Sequence, residues 1–230
     1  MADLSDTLQA PPPWRLTGAG TVLLFRFPRD FVIQHGCIPS FLTGRYRGGL
    51  GAVMLVDYFT SPVGPYREAL LIPGTFRHAK KSYYSITQIA VSTLASVVNG
   101  RQNWGIPKTP ASFDVEALPN GTQHFAMHVD NQPALDIATR TRGPQLPFNT
   151  RWLPFRPTII QQRDDGQLLT TAPFGKGRVQ LAKLDHITVN TDMFPDFSQL
   201  RPVGVVRATQ FELTFPPPAT ILNGADDAAQ

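Results

Sequence analysis

The segment GRQNWGIPKTP at residues 100–110 holds one lysine, Lys108, among turn-forming residues. A lysine attacks a ketone only as the neutral amine, which requires apolar surroundings or a neighbouring cation. Trp104, Ile106 and Phe113 lie near Lys108 in the sequence and can supply an apolar wall, and the glycine and proline of the segment restrict the backbone. The pattern is compatible with a nucleophile in an apolar site or with a solvated charge in a proline-rich turn.

Other sequence patterns of catalysis are missing. The sequence has no G-x-S-x-G elbow, no phosphate-binding P-loop and no G-x-G-x-x-G after a strand, which argues against serine hydrolases, NTPases and Rossmann enzymes. His124 and His128 are four residues apart, but they lie in a strand-like stretch without a third ligand, so we expect no metal site. The single cysteine, Cys37, excludes an internal disulfide, favours a reducing compartment and is expected to be buried as a small hydrophobe.

The composition is typical of a folded globular protein without a nucleic-acid partner. Hydrophobic residues make up 42% of the 230-residue chain and charged residues 17%. The net charge is +4, but the basic residues are scattered, and we expect the adjacent Lys80 and Lys81 to lie in a solvated turn. The N-terminus lacks the apolar core of a signal peptide and no run of 18 apolar residues occurs, which predicts a cytoplasmic protein that does not bind membranes.

Alternation of apolar and polar residues predicts many strands, and helical periodicity is scarce. The pattern therefore predicts a mainly β (α+β) fold, an antiparallel barrel or sandwich with one or two short helices. Arg26 falls on an apolar face of the first strand and needs a partner there. The predicted strands are 21–27, 52–59, 68–74, 83–91, 124–130, 178–190 and 209–215.

A short helix is predicted to begin at a Ser92 or Thr93 cap, to run through Val98 and to be closed by Asn99-Gly100, with the lysine motif following as a loop. No long linker interrupts the chain, so we predict a single domain over residues 1–230. Residues 1–17 and 218–230 are expected to be loose tails.

The lysine motif also carries a family resemblance. GRQNWGIPK resembles the active-site motif of the acetoacetate decarboxylase family, in which a Gly-Arg-Glu segment leads through an apolar residue and proline to the Schiff-base lysine. Other segments resemble the family in the same order between about residues 18 and 217. They are VLLFRF (22–27), GPYREALLIPG (64–74), RPTIIQQRDDG (156–166) and PVGVVRATQFELTFP (202–216).

The resemblance implies a fold, a reaction and a set of site residues. The fold would be a cone-like antiparallel β-barrel that encloses an apolar cavity, in a homo-oligomer. Lys108 would form a Schiff base with a small 2-oxo or 3-oxo acid, most simply for decarboxylation, without a metal or organic cofactor. Glu68 would be the family's active-site glutamate, and Arg26 its active-site arginine, which would anchor the substrate carboxylate.

Three positions depart from the family pattern. Thr109 replaces a second lysine after the nucleophile, Gln102 replaces the motif's glutamate, and by spacing a further glutamate falls on Val53. These changes leave open aldol or dehydration chemistry through the same imine, a non-catalytic barrel that binds a small ligand, and a scaffold with an incidental cavity. A further alternative is that Arg26 and Glu68 pair with each other inside the barrel.

Overall fold

The computed structural model describes residues 8–221. In chain order its strands are β1 (Trp14–Phe25), β2 (Tyr46–Gly48), β3 (Gly51–Thr60), β4 (Tyr66–Ile72), β5 (Thr75–His78), β6 (Lys81–Tyr84), β7 (Gln88–Val91), β8 (Lys108–Pro110), β9 (Ser112–Ala117), β10 (Thr122–Val129), β11 (Gln132–Asn149), β12 (Ile159–Gln162), β13 (Leu168–Thr171), β14 (Phe174–Val189), β15 (Gly204–Phe215) and β16 (Ala219–Ile221). The helices are α1 (Arg29–His35) and α2 (Leu94–Trp104), with 3-10 turns at Ser40–Leu42 and Thr150–Trp152.

Ten strands form the larger sheet, in the order β8-β7-β4-β3-β1-β15-β14-β11-β10-β9. All neighbours are antiparallel except β7 and β8. The two edge strands, β8 and β9, are joined in the chain by Ala111 alone, and the Arg67 guanidinium on β4 donates to the Phe113 carbonyl on β9 at 2.9 Å. The sheet is therefore a nearly closed barrel, which confirms the predicted fold class.

Six shorter strands form a second sheet, in the order β16-β13-β12-β6-β5-β2. Pro73 and Gly74 are the only residues between β4 and β5, so the chain passes directly from the first sheet to the second. The single strand predicted over 83–91 is wrong, because residues 85–87 connect β6 in the second sheet to β7 in the first. The other predicted strands are present, several of them longer than predicted.

Two hydrophobic clusters lie on opposite faces of the larger sheet because successive side chains of a strand alternate between its faces. On β4, Leu71 belongs to the first cluster and Leu70 to the second. On the neighbouring β3, Val53 and Val56 are divided in the same way. The second cluster contains Trp104 of α2 and surrounds the lysine described below.

Helix α2 is longer than the sequence pattern predicts. Thr93 is its N-cap, accepting a hydrogen bond from the Ser96 amide at 3.3 Å, but the helix continues past Asn99 and Gly100 to Trp104 and ends at Gly105 in the left-handed conformation (φ 67°). Asn99 is buried within the helix, where its side chain binds the backbone of the N-terminal segment. The first half of the lysine motif is therefore helical, and the predicted loop shrinks to residues 105–107.

The chain ends also differ from the prediction. Residues 14–17 are part of β1 with Trp14 2% exposed, and residues 219–221 form β16, so these parts of the predicted tails are ordered. Residues 1–7 and 222–230 lie outside the described residues. Cys37 is exposed rather than buried, and its thiol donates to the Gln88 side chain at 3.2 Å. Between residues 8 and 221 we find no helix with the length and hydropathy needed to cross a membrane.

Candidate active site

Lys108 is buried, with 4% of its surface exposed. It begins β8, next to Ile89 on β7. Its Nζ donates to Ser96 Oγ at 2.9 Å, Glu68 Oε2 at 3.0 Å and the Tyr66 hydroxyl at 3.4 Å. The amine is thus held in one position by three groups, and the interpretation of Lys108 as a solvated surface charge is wrong.

The lysine motif positions this side chain through its own residues. The Arg101 guanidinium donates to the Lys108 carbonyl at 2.9 Å, and the Lys108 amide donates to the Ile106 carbonyl at 2.8 Å. Gly100 lies against the aliphatic part of the lysine, since a Cβ at this position would be 2.6 Å from Lys108 Cδ. A glycine inside a helix is unfavourable by about 1 kcal/mol relative to alanine, and here the missing side chain provides the space for the lysine.

Two tyrosines complete the polar end of the site. The Tyr58 hydroxyl donates to Glu68 Oε1 at 3.2 Å, and the Tyr58 and Tyr66 rings have centroids 4.6 Å apart. Burial raises the pKa of both hydroxyls well above the usual value of 10, and the Glu68 carboxylate raises them further. Both tyrosines therefore stay protonated at neutral pH; the Tyr58 hydroxyl donates to Glu68, and the Tyr66 hydroxyl accepts from Lys108.

The amine faces a cavity of about 680 Å³. Lys108, Glu68, Tyr58 and Tyr66 are at its polar end, and most of the remaining lining is apolar. The size is that of a small-molecule site, and the composition, apolar walls with a few converging polar groups, is typical of one. Across residues 8–221, no three His, Cys, Asp or Glu side chains are grouped so that they could bind a metal ion.

The structure brings some of the predicted site residues together and not others. Trp104 and Ile106 line the cavity, as does Glu68. Phe113 instead belongs to the first cluster, where its ring packs against Phe125. Phe113 was predicted to form part of the apolar wall beside Lys108, but it does not line the cavity.

Arg26 lies outside the site. It follows the end of β1, is exposed, and is not among the residues that line the cavity. Phe25 and Phe27 on either side of it stack in the first cluster with centroids 4.9 Å apart, which turns the arginine away from that core. The alternative in which Arg26 pairs with Glu68 is not found, since the partners of Glu68 are Lys108 and Tyr58.

The positions that depart from the family pattern do not face the amine. Thr109 is exposed and its hydroxyl donates to the Ile89 carbonyl at 3.1 Å, as expected for the residue next to Lys108 on a strand. Gln102 is exposed on α2. Val53 is buried in the first cluster, whereas its neighbour Met54 lines the cavity, so the spacing argument places the missing glutamate on the wrong face.

Sequence reasoning missed Ser96, Tyr58 and Tyr66. Tyr66 had a signal, because it precedes Glu68 by two residues on a strand and so shares its face. Tyr58 is directly opposite Tyr66 in the pairing of β3 with β4, which only the register reveals. Ser96 lies in the first turn of α2 and reaches Lys108 because the chain returns past the helix after Gly105.

Comparison with known proteins identifies the family. The sequence model described as acetoacetate decarboxylase (ADC) matches residues 6–168, which include both Glu68 and Lys108. The chain belongs to the acetoacetate decarboxylase family. No curated protein sequence matches it.

Several solved structures of this family and its relatives share the fold. An acetoacetate decarboxylase aligns with a TM-score of 0.72 at 11% identity, covering 96% of this chain and 93% of the other. The enduracididine biosynthesis enzyme MppR, complexed with pyruvate, aligns with a TM-score of 0.69 at 13% identity, covering 94% and 93%. Acetoacetate decarboxylase from Legionella pneumophila aligns with a TM-score of 0.67 at 13% identity, covering 92% and 88%. At these low identities, the structural comparison shows that the chains share the acetoacetate decarboxylase family fold.

Proposed function

We propose that this protein is a cofactor-independent carbon-carbon lyase that decarboxylates an oxo acid through an imine on Lys108. The observation that carries the proposal is the position of the amine, which is buried at the polar end of an apolar cavity and lies 3.0 Å from the Glu68 carboxylate. A lysine activated by desolvation is a known type of nucleophile. The adjacent Glu68 carboxylate can accept the proton of the amine, so bulk water is not needed as the base. Membership of the acetoacetate decarboxylase family supports the same chemistry.

The first step of the proposed reaction transfers a proton from Lys108 Nζ to Glu68. This leaves a neutral, nucleophilic amine beside a neutral acid, and the transfer creates no unpaired charge in the apolar site. The amine attacks the ketone carbon, Glu68 gives its proton to the departing hydroxyl, and water leaves, which produces a cationic imine and restores the Glu68 carboxylate. Ser96 and Tyr66 keep the nitrogen in place during this step.

The second step breaks the bond between the substrate and its carboxylate. For a 3-oxo acid, the electron pair of that bond moves toward the imine nitrogen, carbon dioxide leaves and an enamine forms. The apolar walls solvate the carboxylate poorly, which destabilises it relative to neutral carbon dioxide. Glu68, held by Tyr58, takes up a proton from water and passes it to the enamine carbon, and water then hydrolyses the resulting imine to release the ketone and free Lys108.

Imine trapping tests this proposal. The protein is incubated with acetoacetate, pyruvate and larger oxo acids, reduced with borohydride, and the peptide containing Lys108 is examined for added mass. We expect an adduct on Lys108 that is absent in Lys108→Met and retained in Lys80→Met, which changes an exposed lysine of a turn. A protein that carries no adduct with any oxo acid is not a Schiff-base enzyme.

Aldol or dehydration chemistry through the same imine is a second candidate. It is favoured by the structural likeness to MppR, one structure of which contains the condensation product of pyruvate and imidazole 4-carboxaldehyde, with a TM-score of 0.65 at 14% identity. The two reactions differ in their products. Release of carbon dioxide from the labelling acid identifies the decarboxylase, whereas consumption of an added aldehyde without carbon dioxide identifies the aldolase.

A non-catalytic barrel that binds a small ligand is a third candidate. The close contact between Lys108 and Glu68 favours it, because a buried ion pair also occurs in proteins without any catalytic role. Ligand-induced stabilisation without any adduct on Lys108 would select this function over the lyase.

We also propose that the protein is cytoplasmic and forms a homo-oligomer. The single cysteine fits a reducing compartment. No residue of β14 is buried, and Phe174, Leu181 and, on the adjacent β11, Leu146 are exposed apolar side chains suited to contact with a second copy. Light scattering on the purified protein tests the oligomer: a mass of one chain at micromolar concentration would contradict it.

A further inference from the structure

We infer that the substrate carries a long, uncharged apolar chain on the ketone carbon. This inference rests on the proposed function, which assigns Lys108 as the nucleophile, and extends it to the class of substrate. It is carried by the arrangement of the residues that line the cavity beyond the amine.

A continuous row of side chains leads away from Lys108 across the larger sheet. Each member is the direct partner of the next on the neighbouring strand, and each one lines the cavity. Every member after the lysine is apolar. The row consists of Lys108 (β8), Ile89 (β7), Leu70 (β4), Met54 (β3), Val22 (β1) and Val206 (β15).

The length of the row follows from sheet geometry. Adjacent strands are about 4.8 Å apart, so the five steps from Lys108 to Val206 span roughly 24 Å along the sheet. The smallest oxo acids would occupy only the first part of this row. A chain that follows the row would bury its methylene groups against four or five successive apolar side chains.

A second segment of the cavity lining is apolar as well. Phe148, Leu153, Phe155 and Ile159, from the end of β11 to β12, form it. A chain in the cavity therefore finds apolar side chains beyond those of the row, and such contacts favour transfer of methylene groups from water.

Within residues 8–221, the cavity lining offers no unpaired cation to a second negative charge on the substrate. Its lining contains two cations, Lys108 and Lys176, and Lys176 is 62% exposed and paired with Glu212 at 3.2 Å. Arg26, the expected carboxylate anchor, does not line it. A dicarboxylate or a phosphorylated chain would leave a charge unpaired in an apolar site, which is strongly unfavourable. The chain beyond the ketone is therefore neutral, and the substrate is a 3-oxo acid of medium or long chain.

A series of unbranched methyl ketones, from acetone to 2-undecanone, tests the inference. These ketones are the products of the proposed decarboxylation and form the same imine on Lys108, where borohydride traps them. Burial of one methylene group contributes about 0.8 kcal/mol, so the concentration that gives half-maximal labelling should fall by about fourfold for each methylene added along the row. Labelling of Lys108 that is independent of chain length, or that weakens with it, would overturn the inference and leave the proposed function intact.

A parallel binding series separates the two proposals. The matching secondary alcohols cannot form an imine, and their binding changes the fluorescence of Trp14 and Trp104, which both line the cavity. If no ketone labels Lys108 but alcohol affinity rises with chain length, the lyase proposal fails and the inferred chain site stands. If alcohol affinity shows no such rise, the inferred chain site is refuted whatever the labelling shows.

Substitutions on the row test its position. Val206→Trp fills the far end of the cavity and should lower the preference for 2-undecanone over acetone by about tenfold or more. Val203→Trp is the matched control, because Val203 is 59% exposed and does not line the cavity, and it should keep the preference. Val22→Phe repeats the test one strand nearer to the lysine. Unchanged chain-length preference in both folded row variants would overturn the inferred path.

Discussion

Lys108 Nζ lies 3.0 Å from Glu68 Oε2, although the two residues are 40 positions apart in the sequence, and both side chains are only 5% exposed. Removing one member of a buried pair leaves the other charge without a partner, which typically costs 3–5 kcal/mol. We therefore expect Lys108→Met to lower the free energy of unfolding by about 3 kcal/mol at neutral pH. In the double variant with Glu68→Gln, part of that loss should be recovered. Urea denaturation of the three variants measures this coupling, and additive losses would show that the two groups do not interact.

The close approach of Gly100 to Lys108 predicts that a side chain added at position 100 displaces the nucleophile. The added Cβ of Gly100→Ala would displace the lysine side chain, which it approaches to 2.6 Å. A shift of about 1 Å in a reacting group can reduce the rate by 10²-fold, and we expect a loss of that order in the rate of imine labelling. Gln102→Ala, on the exposed side of the same helix, is the control and should label at the wild-type rate. A Gly100→Ala variant that labels as fast as Gln102→Ala would contradict the packing described above.

Thr109→Lys restores the second lysine of the family's decarboxylases at a position that faces away from the cavity. Because neighbouring residues on β8 point to opposite faces, the new ammonium group would enter solvent rather than approach Nζ. We expect the pH dependence of imine labelling to match that of Thr109→Val, which also loses the hydrogen bond to Ile89. A shift of the labelling midpoint by one pH unit or more in Thr109→Lys would show that the added charge does reach the amine.

The raised pKa values of Tyr58 and Tyr66 predict how the stability of the protein changes at alkaline pH. Burial raises the pKa of both hydroxyls in the folded state, with a further rise from Glu68, whereas an unfolded tyrosine titrates near 10. The folded state therefore holds these protons more tightly, and their contribution to stability is complete below about pH 10 and declines as the pH rises above it. Each tyrosine contributes a slope of up to about 1.4 kcal/mol per pH unit there.

The variant Tyr58→Phe measures how much one hydroxyl contributes to the pH dependence of stability. Urea denaturation between pH 8 and pH 11 should show a less steep alkaline loss of stability in the variant than in the wild type. The two proteins should have parallel stability profiles below pH 9. Equal slopes above pH 10 would mean that Tyr58 is accessible to solvent in the folded protein.

Local patterns in the sequence determined much of the fold. Alternating apolar residues predicted most of the long strands, since each strand must present one face to a hydrophobic cluster, although β11 and most of the short strands were not predicted. The lysine motif, together with Glu68 in its own colinear segment, also identified the two groups that now lie in contact. Local patterns predicted the end of α2 less well, because Asn99-Gly100 resembles a helix stop and the reasons for continuing are tertiary: Asn99 binds the N-terminal segment, and Gly100 makes room for Lys108.

The tertiary structure alone decided which residues meet at the site. The motif that pointed to Arg26 does not show that this residue follows the end of β1, and the spacing that pointed to Val53 does not show which face of β3 it occupies. In the folded chain neither residue lines the cavity. Tyr58 and Ser96 reach the site through the strand register and the return of the chain past α2. The row from Lys108 to Val206 likewise depends on pairings among six strands, because residues adjacent across a sheet are set by register rather than by distance along the chain.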